Sequence, residues 1–131
     1  MKLVLKYGGT SISTPKQIKD VAKHISLLAK NNQIVTVCSA VSGTTDDLIE
    51  ISHQIKKENK EKAKELTAKI IYKHKKLVRE TISKAANRKK LLEALDDDFS
   101  ELVELIDGMV LLGEVTARSM DYLISFGERL S

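Results

Sequence analysis

The residues able to do chemistry lie in three short stretches. The first is Lys6-Tyr7-Gly8-Gly9-Thr10-Ser11. Glycines let a backbone approach an anion with no Cβ in the way, and successive N–H groups in such a turn can form an anion-binding nest. Thr10 and Ser11 add hydroxyls, and Lys6 supplies a point charge where a phosphoryl group would sit. On this stretch alone, a plain strand-to-loop turn explains the two glycines equally well. The second stretch runs from Ser39 to Asp47 (SAVSGTTDD) and is small, polar and glycine-bearing. Asp46 and Asp47 suit the N-terminus of a following helix, which Thr44 or Thr45 would cap. The third, Ser125 to Ser131 (SFGERLS), predicts by itself only a helix end, a glycine and a new helix. None is a Walker loop, which needs a lysine after its glycines. Gly108 to Gly113 has that spacing, but Glu114 follows it and would repel phosphate.

These stretches need elements to hold them. Leu3, Val4, Leu5 and Tyr7 form a short apolar run ending at Gly8-Gly9, the pattern of a buried strand stopping at a turn. Thr14-Pro15-Lys16-Gln17 then predicts a helix start, with a capping threonine, a proline suited to the first helical position and a glutamine placed for a capping box. Ile18, Val21, Ala22, Ile25 and Ala29 make one apolar stripe, and Asn31-Asn32 predicts its end through the left-handed conformation that Asn tolerates. Ile34 to Cys38 is a β-branched run of the kind buried on both faces of a parallel sheet. Residues 1–45 are therefore a βαβ unit whose two small-residue loops, 8–11 and 39–45, share the carboxyl edge of the sheet, where ligands gather.

Residues 46–131 predict helices only. Leu48, Ile51 and Ile55 mark one, and Ala63 through Ile82 a longer one. Leu91 through Ile106 mark a third, and the last spans about Glu114 to Ile124, with short connections near Asn59 and Asn87. The four are expected to pack as antiparallel hairpins, the lysines of the second snorkelling along its outer face. Two strands make a small sheet, so the chain is expected to be an N-terminal piece of a larger domain.

The chain has 131 residues, 42% of them hydrophobic, and a net charge of +4. No run reaches the ~18 apolar residues of a membrane span, and no signal-peptide core follows Met1, so the cytoplasm is the expected compartment and no membrane partner is expected. Residues 56–90 hold 14 Lys/Arg against 4 Asp/Glu, while 91–107 hold 7 Asp/Glu and no Lys or Arg. Such blocks could face nucleic acid, but two helices with facing charged surfaces explain them better, and Tyr72 alone offers little base stacking. The lone Cys38 excludes an internal disulfide and reads as a strand residue rather than a nucleophile. His24, His53 and His74 fall on separate helices, are expected to be solvated, and suggest no metal cage.

Together the three stretches carry a resemblance to the aspartokinases of the amino acid kinase family. That family's first signature is an aliphatic residue, any residue, Lys, Phe or Tyr, Gly-Gly, Ser or Thr, Ser and an aliphatic residue, and Val4 to Ile12 match it at every position. Its second block, Ser-Ala-x-Ser-Gly-x-Thr-Asn/Asp, is matched by Ser39 to Asp46, and its third, Ser-Phe/His-Gly-Glu-x-Leu-Ser, by Ser125 to Ser131. The resemblance implies an α/β fold, part of a three-layer αβα sandwich with a large helical portion, here two strands and about five helices. It implies transfer of phosphate from ATP, with Mg²⁺, to the side-chain carboxylate of L-aspartate, the first step toward lysine, threonine and methionine. By the match Lys6 would neutralise the moving phosphoryl group, and Gly8, Gly9, Thr10 and Ser11 would cradle the phosphates. Ser39 would lie between phosphate and substrate, and Thr45 and Glu128 would bind aspartate, Glu128 holding its ammonium. The downstream arginine, the adenine-binding segment, the remaining catalytic residues and the regulatory domains of the family are not matched, so the 131 residues alone are expected to be inactive. A homo-oligomer is also expected, because an incomplete sheet leaves edges and apolar faces open. Two other readings stand beside this one: an amino acid kinase with a different acceptor, and a non-catalytic basic helical module binding nucleic acid or a partner protein.

Overall fold

The computed structural model describes all of residues 1–131. It is α/β, with two parallel strands and five α-helices, as the sequence predicts. Strand β1 (Lys2–Tyr7) pairs with β2 (Gln33–Cys38) in a register running from Lys2 opposite Gln33 to Tyr7 opposite Cys38. Helix α1 (Pro15–Leu28) connects them. Thr14 caps it, its hydroxyl accepting from the Gln17 N–H at 3.3 Å and donating to Gln17 Oε1 at 2.9 Å, with Pro15 in the first turn. The end of α1 differs from the prediction. Ala29 is right-handed there, and the Asn32 side chain donates to the Leu28 carbonyl at 2.9 Å, so a side-chain amide does the work expected of a left-handed turn.

The strands also differ from prediction, being covered on one face only. Leu3, Leu5 and Tyr7 are half-buried, whereas Val4 is 73% and Val35 59% exposed. The reason lies in the other helices, α2 (Thr44–Lys56), α3 (Lys60–Thr81), α4 (Ala85–Leu112) and α5 (Ala117–Arg129), which turn their apolar faces to one another instead of to the sheet. Helix α2 packs on α3 and α5, and α4 packs on the same two. Leu48, Ile51, Ile70, Leu102, Leu123 and Phe126 are completely buried in that core. Each contributes about 1.5–3 kcal/mol by leaving water. No helix is long and apolar enough to cross a membrane.

The joints between helices follow local chemistry. Asn59 caps α3 through its side-chain oxygen on the Lys62 N–H at 3.2 Å. Asn87 lies in the first turn of α4, and the connection itself is Ile82 to Lys84, three residues earlier than expected. Gly113, at φ 64°, closes α4 in the left-handed conformation that glycine adopts without strain. The last helix starts at Ala117 rather than Glu114, because Thr116 and Ser119 form a reciprocal capping box. Of the expected contact between basic and acidic blocks, the structure has one ion pair across α3 and α4, Lys75 to Asp96 at 2.6 Å. Asp98 and Glu101 instead pair with Arg129 on α5.

Candidate active site

Parallel pairing puts the carboxyl ends of β1 and β2 at one edge, and the two loops that leave there are in contact. The Ser39 N–H donates to the Tyr7 carbonyl at 3.0 Å. A Cβ on Gly9 would lie 2.4 Å from the Ala40 carbonyl oxygen and 3.2 Å from the Ser42 nitrogen, so only glycine permits this approach of backbone to backbone. The third stretch reaches the same place from α5. A Cβ on Gly127 would lie 3.1 Å from both the Ala40 Cβ and the Thr45 Oγ1. All three stretches thus meet around Ala40, which is buried. The break expected at Ser125–Ser131 is absent: α5 runs unbroken through Gly127 to Arg129. Glycine here serves the packing of a helix against a loop, which outweighs its cost of about 1 kcal/mol in helix propensity.

Lys6 occupies an exposed position one residue before the end of β1. Gly8 follows in extended backbone (φ −73°, ψ 164°), and a Cβ there would meet nothing within 4 Å. Gly9 to Ser11 form one 3₁₀ turn, in which the Ser11 N–H bonds the Gly8 carbonyl at 2.9 Å and the Ile12 N–H the Gly9 carbonyl at 3.3 Å. The first N–H groups of such a turn, those of Gly9 and Thr10, have no partner within it. Thr10 is exposed, and Ser11, Ser39 and Thr45 are half-buried. Glu128 is exposed on the last turn of α5. Its neighbour Arg129 fixes that turn to α4, donating to Asp98 and Glu101 at 2.5 Å each and lying 4.2 Å above the Phe126 ring. These hydrogen bonds, Glu101's foremost, push the guanidinium pKa up, and the same bond holds the Glu101 carboxyl below its ordinary range.

The N-terminus of α2 is built differently from the prediction. Gly43 (φ 79°) is its cap residue and no side chain caps it, so neither Thr44 nor Thr45 is used for that. Thr44 is fully buried, its N–H on the Val41 carbonyl at 3.0 Å. Lys73 of α3 reaches across and donates to the Ser42 carbonyl and, at 3.3 Å, to Thr44 Oγ1. Four residues earlier, Lys69 pairs with Asp47 at 2.7 Å. Burial holds the Lys73 ammonium below the ordinary lysine range, with Lys69 adding to the effect and Asp47 opposing it. Lys73 thereby leaves the outer face on which it is expected, whereas Lys69 remains largely exposed. Nothing in the sequence separates Lys73 from the other basic residues of its block.

Of the three histidines His24 and His53 are exposed, as expected, and His74 is not. His24 Nδ1 lies 2.8 Å from the Tyr7 hydroxyl. His74 is 2% exposed; its Nδ1–H donates to the Ile70 carbonyl at 2.8 Å, and its Nε2 has no partner. Burial pushes its pKa down. Its position was open to inference, since Ile70, His74 and Val78 share one helical face. His74 and Cys38 help line an apolar cleft of ≈ 310 Å³ between α1, α3 and α4. With Ile12, Ile25, Val41 and Leu77 on its walls, that cleft is unsuited to phosphates. No group of three His, Cys, Asp or Glu side chains is placed to cage a metal ion.

A parallel βαβ unit whose strand-end loops converge with a helix at one edge defines an α/β protein with its site at the carboxyl end of the sheet. The amino acid kinase family model matches residues 1–131, and the chain belongs to that family. It is 31% identical to the chloroplastic aspartokinase 1 of Arabidopsis thaliana over 130 residues, which are 98% of this chain and 21% of that protein. It is 43% identical over 51 residues to the aspartokinase of Corynebacterium glutamicum, 38% of this chain and 12% of that one. The fold is similar to E. coli aspartokinase III, solved in complex with aspartate and ADP, with a TM-score of 0.80 at 20% identity over 99% of this chain and 27% of that one. The chain therefore spans between about an eighth and about a quarter of the length of these relatives.

Proposed function

We propose that these residues form the phosphate- and aspartate-binding part of an aspartate kinase, which transfers the γ-phosphoryl group of ATP to the side-chain carboxylate of L-aspartate. A carboxylate oxygen attacks the γ-phosphorus, the bond to the β,γ-bridging oxygen breaks, and 4-phospho-L-aspartate and ADP leave. Such a transfer asks the protein for positioning and for positive charge opposite the phosphoryl oxygens, not for covalent participation. Lys6 supplies the charge. The N–H groups of Gly9 and Thr10 and the hydroxyls of Thr10 and Ser11 receive the phosphates, and Gly8 leaves room for their approach. Ser39 stands between nucleotide and acceptor. Thr45 and Glu128 hold aspartate, the carboxylate of Glu128 facing its ammonium. Mg²⁺ would enter with the nucleotide, since such ions keep phosphate oxygens and water as ligands.

The observation that carries this reading is the meeting of three separate stretches at Ala40, since the glycines that permit it are the ones the signature contains. The relatives named aspartokinase support the acceptor. The test is an aspartyl-hydroxamate assay on the intact gene product beside its Lys6→Ala variant. Hydroxamate should require both ATP and aspartate and should fall by about 10²–10³ without Lys6, as for other groups that stabilise transition-state charge. A folded gene product that makes none with aspartate would overturn the reading.

A further inference from the structure

We propose that Lys73 is a positioning residue for the substrate loop 39–45, clamping it from α3 while Gly9 packs against the same loop. The inference rests on the reading of that loop as part of the aspartate and phosphate site. Ser42 is the pivot. Its nitrogen is the atom that a Cβ on Gly9 would approach to 3.2 Å, and its carbonyl accepts from the Lys73 ammonium. The same ammonium donates to the buried Thr44 hydroxyl, on the far side of the left-handed Gly43.

The turn therefore has no side-chain cap of its own and takes its fixed points from a helix 29 to 31 residues further along the chain. A left-handed cap residue without a side-chain bond is a loosely specified start for α2. A charged donor on the preceding carbonyl and on the next hydroxyl removes that freedom. Lys69, paired with Asp47 in the first turn of α2, ties the same helix start to α3 a second time. Thr45, the residue after Thr44, packs against the buried Gly127. Loss of the Lys73 contacts would let Ser42 and Thr44 shift together and carry Thr45 away from the place where aspartate is held.

Lys73→Met keeps the length and apolar stem of the side chain and removes the donor, while Lys73→Arg restores a charged donor. Two measurements on the intact gene product separate the clamp from the reading on which it rests. In hydrogen–deuterium exchange, Lys73→Met should speed exchange at residues 42–45 with α4 unchanged, and Lys73→Arg should not. Unchanged exchange in the methionine variant would overturn the clamp whatever the activity. In the hydroxamate assay, Lys73→Met should raise the KM for aspartate about tenfold, the scale of one hydrogen bond from a charged group, with a smaller effect on kcat. Lys73→Arg should recover most of that loss. A faster-exchanging loop with the KM of the unaltered protein would overturn the positioning role. So would equal losses of activity and melting temperature in both variants, the mark of a merely structural lysine. Failure of the underlying reading would look different, because the unaltered protein would then make no hydroxamate at all.

Discussion

Gly8 and Gly9 are adjacent and belong to one signature, yet the structure gives them opposite reasons to be glycine. A Cβ on Gly9 would sit 2.4 Å from the Ala40 carbonyl oxygen. Carbon and oxygen in ordinary close contact lie about 3.3–3.6 Å apart, so the loop 39–42 must retreat by about 1 Å. Both near atoms belong to the backbone, and no side-chain rotation can relieve them. Overpacking of this kind costs about 1–3 kcal/mol, so Gly9→Ala should lower the unfolding free energy by that amount in a urea titration. A 1 Å misplacement of catalytic groups is also worth about 10² in rate, and hydroxamate formation should fall accordingly. Gly8→Ala should behave otherwise. Its φ of −73° suits any residue and its Cβ would meet open space, so restricting the unfolded chain should stabilise the protein by about 0.4–1 kcal/mol. If activity falls in Gly8→Ala while stability rises, the lost space belonged to the nucleotide. Gly9→Ala with unaltered stability and activity, or Gly8→Ala as the more damaging of the two, would refute the argument.

Two further predictions concern the helical core. Ile70 is completely buried within it, and Ile70→Ala should cost about 2–5 kcal/mol in a urea titration; a loss under 1 kcal/mol would mean that the core collapses around the gap more readily than its packing suggests. His74 has a folded-state pKa below its unfolded value, so between the two values the unfolded chain binds the extra proton. Its contribution to stability is then full above about pH 6.5 and is lost as pH falls below it. Unfolding free energies measured from pH 7.5 to 5 should therefore decline in the unaltered protein and decline less in His74→Leu. Parallel profiles would exclude His74 as the cause.

The βαβ unit is legible in the sequence because its signals are local. Thr14-Pro15 starts a helix by capping chemistry, and a β-branched run such as Ile34–Cys38 has few alternatives to a strand. The shared edge of the loops follows from parallel pairing alone, and with it the gathering of Lys6, Gly8, Gly9, Thr10, Ser11, Ser39 and Thr45. What escapes is decided by contacts between distant segments. Gly127 looks like a helix breaker until Ala40 and Thr45 are placed against it. Thr44 looks like a cap until Lys73 arrives from α3. The apolar residues of β1 and β2 say that they can be buried, but not on how many faces a neighbour will cover them. His74 is an intermediate case, misjudged on residue type although its spacing from Ile70 and Val78 places it on the core face.

In the proposed function three separated stretches build one site, in which Lys6 serves the moving phosphoryl group and Glu128 holds the acceptor. The most direct test is an aspartate titration of hydroxamate formation by the intact gene product carrying Lys6→Ala or Glu128→Gln. Lys6→Ala should lower kcat by about 10²–10³ and leave the KM for aspartate nearly unaltered, because its charge acts on the transition state. Glu128→Gln should instead raise that KM by about tenfold or more, the scale of one charged contact, and change kcat less. Two variants with the same pattern of loss, or none, would contradict the division of roles that the convergence at Ala40 supports.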